Sequence, residues 1–399
     1  MCQISDHDYL QKLETQLYIE QHNHSFPMAP PGSLQTLLSP AELSFLHTSL
    51  SSQPPIRPDL RTPAQFRPLV AETGILPTTN GSARICFSDG TEAIVGIKAE
   101  VERTPQSQRI AFQDNDQELG EAEDSPKQTE QQTRPAGASS ESWLELAIEI
   151  PGFRDDDNLP IFLSSMLTET LAASGPLRDK LYINERWHWK LYIDVLLLSA
   201  PLSYPLPLLS LTTHLALLNT ALPRLKSDPG DDPLFDDDWA AAVPLYNSSG
   251  PSASAQRPPI TLLVMTVGEN VIFDPSKEEL AVAEAVLAIT VVSSGVHGAP
   301  LQLLAIRTID PPSRLTPPGL PDIINPATAA GAGSANANGG IQKQQVASQE
   351  MMSALETAKV WTPPWGGIKR SLVAKVIKMV IEAGGVGQEV LDGLAAVET

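Results

Sequence analysis

At 399 residues and 42% hydrophobic composition, the chain has room for about two domains with real cores. A net charge of −20 excludes a protein that coats nucleic acid by overall attraction, although not one with a local basic groove. Thirty-six prolines, nearly twice the usual ~5% share, point to a folded protein with long insertions and tails rather than a fibrous or wholly disordered one.

The acidity is concentrated in two stretches poor in large apolar residues. Residues 104–142 hold eight acids against three bases, and residues 227–256 hold six aspartates and no base. Both read as disordered acidic insertions. Cys2 and Cys86 are too few for a disulfide framework or a zinc quartet, and a reducing intracellular compartment is expected. The first residues lack the basic-then-apolar pattern of a signal peptide. Residues 195–223 contain no Asp, Glu, Lys or Arg over a length that could span a bilayer. Pro201, Pro205, Pro207 and His214 within them favour a buried strand followed by a buried helix, so no membrane partner is expected.

In chain order, residues 1–38 read as a tail with a short helix near 9–19. Ser39-Pro40-Ala41-Glu42 has the form of a capping box with proline in the first turn, and Leu43, Leu46 and Leu50 continue at helical spacing. Strands over 82–87 and 93–101 flank Asp89-Gly90, a hairpin signal, and Ala93, Val95, Ile97, Ala99 and Val101 share one face of the second. Residues 143–150 resume as a strand, 159–173 as a helix, 181–183 and 187–198 as a hairpin, and about 206–222 as a helix. After the second acidic insertion, 260–267, 270–273, 286–292 and 301–307 read as strands, one of them buried on both faces. A Pro/Ala/Gly/Asn-rich loop spans 311–340, and helices over 345–360 and 368–383 close the chain. The pattern predicts an α+β protein of two layers, each a mixed sheet backed by helices.

Five segments carry a resemblance: Ile56-Arg57-Pro58-Asp59-Leu60-Arg61, Phe66-Arg67-Pro68, Asn80-Gly81-Ser82-Ala83-Arg84, Asp89-Gly90-Thr91-Glu92 and Val95-Gly96-Ile97-Lys98-Ala99-Glu100. In that order they resemble the start of RNase PH-type subunits of the RNA exosome. Lys190-Leu191-Tyr192-Ile193-Asp194-Val195-Leu196-Leu197-Leu198, Phe273-Asp274-Pro275 and Glu278-Glu279 look like the branch similar to the catalytically inactive subunit of the archaeal ring. The resemblance covers roughly 39–103, 143–226 and 258–310. It departs at Leu60, where the family usually has glycine, a residue that often marks a positive φ.

The resemblance implies an RNase PH-like α+β fold of two αβ layers, the first S5-domain-2-like. After a tail over 1–38, domain 1 spans 39–257 with insertions at about 104–142 and 227–256. Domain 2 spans 258–399 with an insertion at about 311–340. It further implies a hetero-hexameric ring with other RNase PH-like exosome subunits, S1/KH-type cap subunits, RNA in a central channel, and residence in the nucleus, nucleolus and cytoplasm.

Phosphorolysis of RNA needs a hole for inorganic phosphate, best built from an arginine and free backbone N–H groups at a helix N-terminus. Active relatives place a Gly-Thr-Arg run where a strand passes into a helix. Here that junction reads Leu198-Ser199-Ala200-Pro201-Leu202-Ser203-Tyr204-Pro205-Leu206-Pro207, with no cation and three prolines that lack an N–H. The nearest bases in sequence are Lys190 and Arg224. Active relatives also carry aspartates just before the strand corresponding to 262–266, where this chain has Arg257-Pro258-Pro259-Ile260. The expectation is a non-enzyme with no catalytic residue, metal or cofactor, serving as a structural subunit of the exosome core ring in 3′–5′ RNA processing and degradation. The alternatives are an active phosphate-dependent 3′–5′ exoribonuclease and a free-standing acidic adaptor.

Channel contacts to RNA would be basic side chains on backbone phosphates. Arg154, between the strand ending at Ile150 and the next helix, is the first candidate, with Arg178 and Lys180 after it. Trp187 and Trp189 could stack bases, but they share a strand face with Leu191 and Ile193, which favours burial; His188 points the other way. His22 with His24, and the triplets Asp155-Asp156-Asp157 and Asp236-Asp237-Asp238, read as solvated groups rather than metal ligands.

Overall fold

A computed structural model describes residues 38–105, 141–154, 156–184, 186–227, 231–246, 257–293, 300–311, 313 and 362–397. The helices expected near 9–19 and 345–360, His22 and His24, Asp155, nearly all of the 104–142 insertion and the 311–340 loop lie outside these residues. The first elements are α1 (Pro40–Ser51), β1 (Leu69–Thr73), β2 (Gly81–Phe87), β3 (Glu92–Arg103) and β4 (Leu144–Glu149). Then come α2 (Asn158–Ala173), α3 (Pro176–Leu181), β5 (Tyr182–Asn184), β6 (Trp187–Leu197), α4 (Leu206–Asn219), β7 (Ala221–Leu222) and β8 (Val243–Pro244). The remainder is β9 (Ile260–Val267), β10 (Asn270–Phe273), α5 (Lys277–Leu280), β11 (Ala285–Val292), β12 (Gln302–Ile309), α6 (Arg370–Ile381) and α7 (Val386–Ala395).

Helix α1 starts where its capping box puts it. The Ser39 hydroxyl accepts from the Glu42 N–H at 3.3 Å, and the Glu42 carboxylate accepts from the Ser39 N–H at 2.7 Å. The first sheet has the order β1-β2-β3-β6-β4, with β5 beside the start of β6. Its pairs are antiparallel except β4 with β6, which are parallel and joined by a crossover through α2 and α3. The second sheet, β10-β9-β11-β12, is antiparallel throughout.

Between the two sheets lies α4. It packs on β2, β3 and β6 on one side and on β9 on the other, and every residue from Leu206 to Leu218 is buried. That is why its sequence has no polar stripe: a helix covered all round has no face to give to water. The uncharged 195–223 stretch is therefore the end of a core strand and a core helix, and no helix among the described residues is long and apolar enough to cross a membrane. Ala93, Val95 and Ile97 are fully buried on the inner face of β3, with Ala99 and Val101 partly buried beyond them.

Gly81 shows how closely the layers approach. A Cβ there would lie 2.6 Å from the Thr220 Cα and 2.7 Å from the Ala216 carbonyl oxygen. Its neighbours complete the joint: the Asn80 side chain accepts from the Ala99 N–H at 3.0 Å and donates to the Ala221 carbonyl, and the Asn219 side chain accepts from the Ser82 N–H. Asn80-Gly81-Ser82 is thus a packing motif.

One expectation needs correction. Residues 231–246, inside the stretch read as a disordered acidic insertion, form β8 and a 3-10 turn at Trp239–Ala241, and bury Leu245 and Tyr246. Phe235 packs on Trp189 with ring centroids 4.8 Å apart, and this apolar anchor outweighs the acidic composition. His188 does face away from α4, but it is buried there: Trp143 stacks on it at 4.4 Å and the Thr104 hydroxyl lies 3.0 Å from Nδ1.

Candidate functional site

The junction from β6 into α4 is the place where a phosphate cradle would form. Pro205 is the N-cap, no side chain caps the helix, and Pro207 occupies its first turn. Residues 203–208 are all buried, so the start of this helix faces protein rather than solvent. One cation does reach the junction from far away in sequence: Arg67 Nη1 donates to the Ser203 hydroxyl at 2.9 Å. Lys190, one of the two bases nearest in sequence, is held by Glu102 and Glu145 on the outer face of the sheet.

Arg67 is itself held by two carboxylates. Its Nη2 donates to Asp274 Oδ1 at 2.7 Å, and its Nε and backbone N–H both donate to Oδ2 at 2.9 Å; Asp89 takes Nη1, and the guanidinium lies 4.6 Å above the Phe87 ring. Arg61 adds a second cation to Asp274, through Nη1 at 2.8 Å, and its Nε pairs with Asp59. Burial opposes charge on both Arg67 and Asp274. Hydrogen bonding and mutual attraction overcome it, raising the arginine's pKa and holding the carboxyl below its usual range.

Arg57, with no exposed side-chain surface, meets Glu279, which has none either. Nε and Nη2 donate to the two carboxylate oxygens at 2.8 Å each. Nη1 and Nη2 also donate to the Phe273 and Asp274 carbonyls at 3.1 and 3.0 Å. Glu279 simultaneously closes a capping box with Ser276 at the start of α5. The arginines of the 56–61 and 66–68 motifs and the acids of the 273–275 and 278–279 motifs thus form one ion-pair latch joining the segment before β1 to the turn after β10. Asp274 holds a left-handed φ of 46° to make these contacts, a conformation aspartate tolerates better than most residues.

The second slot, before β9, is tied up as well. Arg257 Nη1 donates to the Leu391 carbonyl at 3.0 Å, and the Pro258 carbonyl accepts from His214 Nδ1 at 2.9 Å. Burial pushes the His214 imidazole down to about 4, and its Nε2 has no hydrogen-bond partner among the described residues. Among the described residues no group of three or more His, Cys, Asp or Glu could hold a metal ion. Asp236 pairs with Lys226, and Asp238 caps the Trp239–Ala241 turn.

The sequence-predicted RNA contacts do not converge. Arg154 is exposed in the turn before α2, and its N–H donates to the Asp157 carboxylate at 2.8 Å. Arg178 and Lys180 share α3 beyond the far end of α2, a helix of 16 residues and so about 24 Å long. Arg178 is half-buried, and the Lys180 ammonium sits 3.7 Å from the centre of the buried Tyr246 ring, its pKa lowered by burial. Trp189 is buried under Phe235, while half-buried Trp187 donates to Asp232 at 3.1 Å and lies under Arg103. Sequence reading missed Arg67. Its proline-flanked motif was visible, but nothing local reveals a partner 207 residues away.

Residues 65–223 match the 3′ exoribonuclease family, domain 1. The exosome complex component RRP42 of Saccharomyces cerevisiae is 33% identical over 271 residues, covering 68% of this chain and 87% of that protein. The chain belongs to the RNase PH family. A second RNase PH relative, the exosome complex component rrp42 of Schizosaccharomyces pombe, is 31% identical over 275 residues, covering 65% of this chain and 79% of that protein. Among solved structures, an Archaeoglobus fulgidus exosome with RNA bound to the active site covers 79% of this chain and 97% of its own, with 16% identity and a TM-score of 0.44. The RNase PH motifs of the first half lie on the sheet joint around Gly81 and on the ion-pair latch.

Proposed function

We propose that this chain is a non-catalytic structural subunit of an exosome core ring, supporting 3′–5′ RNA processing and degradation through subunit interfaces and part of the RNA channel. The observation that carries the non-catalytic reading is the closed junction. The helix start is buried and proline-capped, and Arg67, the cation that reaches it, is neutralised by Asp274 and Asp89. A phosphate entering there would have to displace two carboxylates from a largely buried guanidinium. The ring reading is supported by two yeast relatives that carry the name exosome complex component.

On this reading the partners are other RNase PH-like subunits in a hetero-hexamer, S1/KH-type cap subunits and RNA, with residence in the nucleus, nucleolus and cytoplasm. Domain 1 spans 39–257 and domain 2 spans 258–399, and Arg154, Arg178 and Lys180 contribute weak phosphate contacts. The test is to purify the chain alone and with co-expressed RNase PH-like partners, measure mass by light scattering, and assay phosphate-dependent RNA release on the same samples. A defined hetero-oligomer to which this chain adds no phosphorolytic activity is expected. A stable lone chain that degrades RNA only with phosphate would overturn the proposal.

A further inference from the structure

The outer face of the first sheet has a charged notch that its internal contacts leave open. Asp194 stands within β6, a central strand, exposed on the face opposite α4. Aspartate is depleted in strands, and one without a partner on a central strand calls for a reason. Its neighbours across the sheet are small: Gly96 on β3 and Ala147 on β4. Glu149, also exposed, lies two residues further along β4, opposite Leu196. On the other flank the loop between β1 and β2 folds onto the sheet, so closely that a Cβ on Gly96 would lie 3.2 Å from Leu76 Cδ1 and 3.3 Å from Thr79 Cγ2. The result is a groove of about 520 Å3 with Asp194 and Glu149 beside the apolar surfaces of Ile94 and Leu196.

Arg84 pairs with Glu72 and Glu92, and Lys190 with Glu102 and Glu145. Lys98, exposed in the lining of the same groove, lies 4.0 Å from Glu100. Glu149 and Asp194 have no ion-pair or hydrogen-bond partner among the described residues. We infer that this groove docks an arginine-bearing segment of another protein subunit, an inference that rests on the ring reading above. Two carboxylates on adjacent strands, offset by two residues in register, offer acceptors to a guanidinium, and Ile94 and Leu196 suit the apolar stem behind it. Nucleic acid is disfavoured, because the same carboxylates repel a phosphate backbone.

The test uses the full chain reconstituted with its co-expressed RNase PH-like and S1/KH-type partners. A benzophenone-bearing residue placed at Leu196 is irradiated and the crosslinked product identified by mass spectrometry. In parallel, the Asp194→Lys/Glu149→Lys variant and the milder Asp194→Asn are compared with wild type for partner affinity and for thermal unfolding of the lone chain. A crosslink to a protein segment containing arginine is expected, with at least tenfold weaker association for the double variant, a smaller loss for Asp194→Asn and unchanged unfolding midpoints. If the ring assembles but the crosslink goes to RNA or to nothing, or if both variants bind like wild type, the docking inference fails while the ring reading stands. If the wild-type chain never joins its partners, both fall.

Discussion

If Arg57 is a structural residue rather than an RNA contact, its removal should unfold the protein rather than loosen RNA. Its Nε donates to Glu279, and its Nη atoms reach the second Glu279 oxygen and the carbonyls of Phe273 and Asp274, all within an unexposed pocket. Truncating one member of such a pair strands the other charge away from water, which costs roughly 3–5 kcal/mol. Arg57→Met leaves Glu279 stranded. Glu279→Gln keeps the capping box with Ser276 but leaves the guanidinium without a counter-charge. The double variant Arg57→Met/Glu279→Gln strands neither charge, so it should be less destabilised than the sum of the singles by about 2 kcal/mol or more. Urea unfolding of the purified chain, with the slope required to stay constant, measures all three. Additive losses, or a loss under about 1 kcal/mol for Arg57→Met, would refute the argument. So would an Arg57→Met protein of normal stability that had lost RNA binding.

Four further outcomes follow from single positions. Leu60 holds a φ of 62° while exposed, so Leu60→Gly should relieve a left-handed penalty of ~1–2 kcal/mol, offset in part by the freer unfolded chain; a net gain of about 0.5 kcal/mol should appear in the urea midpoint, and a loss would contradict it. His214 is held near pKa 4 against 6.5 for the unfolded imidazole, so the unfolded state takes up the proton first. Its effect is absent above pH 6.5 and grows as pH falls towards 4, reaching about 3 kcal/mol of lost stability; His214→Asn should flatten that part of the stability profile, and an unchanged slope would exclude the assignment. Gly81→Ala should destabilise by about 2 kcal/mol through its clash with Thr220 and Ala216, whereas Gly90, which has open space but a φ of 84°, should accept asparagine with little change in the unfolding midpoint.

What the sequence made legible is what local physics determines. The capping box of α1, the Asp89-Gly90 hairpin, the alternation along β3 and the strand-then-helix reading of 195–223 all depend on neighbours a few residues apart. At Leu60, where the resemblance put the local backbone in doubt, the leucine itself holds the positive φ. β1 was missed because it is a short edge strand behind a proline, with no fully buried position to give it a pattern. α7 was missed because Gly387 and Gly393 break its propensity. Yet a Cβ at Gly387 would lie 2.7 Å from the Val380 carbonyl, so the glycine is what allows α7 to close on α6. The 231–246 segment looked solvated by composition, and Phe235 and Tyr246 show their role only once Trp189 and Lys180 are beside them. The candidate site was hardest of all. Two empty motif slots could be read along the chain, but the arginine that reaches one of them is joined to its carboxylate across 207 residues. Missing motifs alone leave open that a distant residue restores the site. The folded chain brings such a residue to the junction already bound by two acids, which makes the closed junction a property of the assembled core and Asp274 the position where it could be undone.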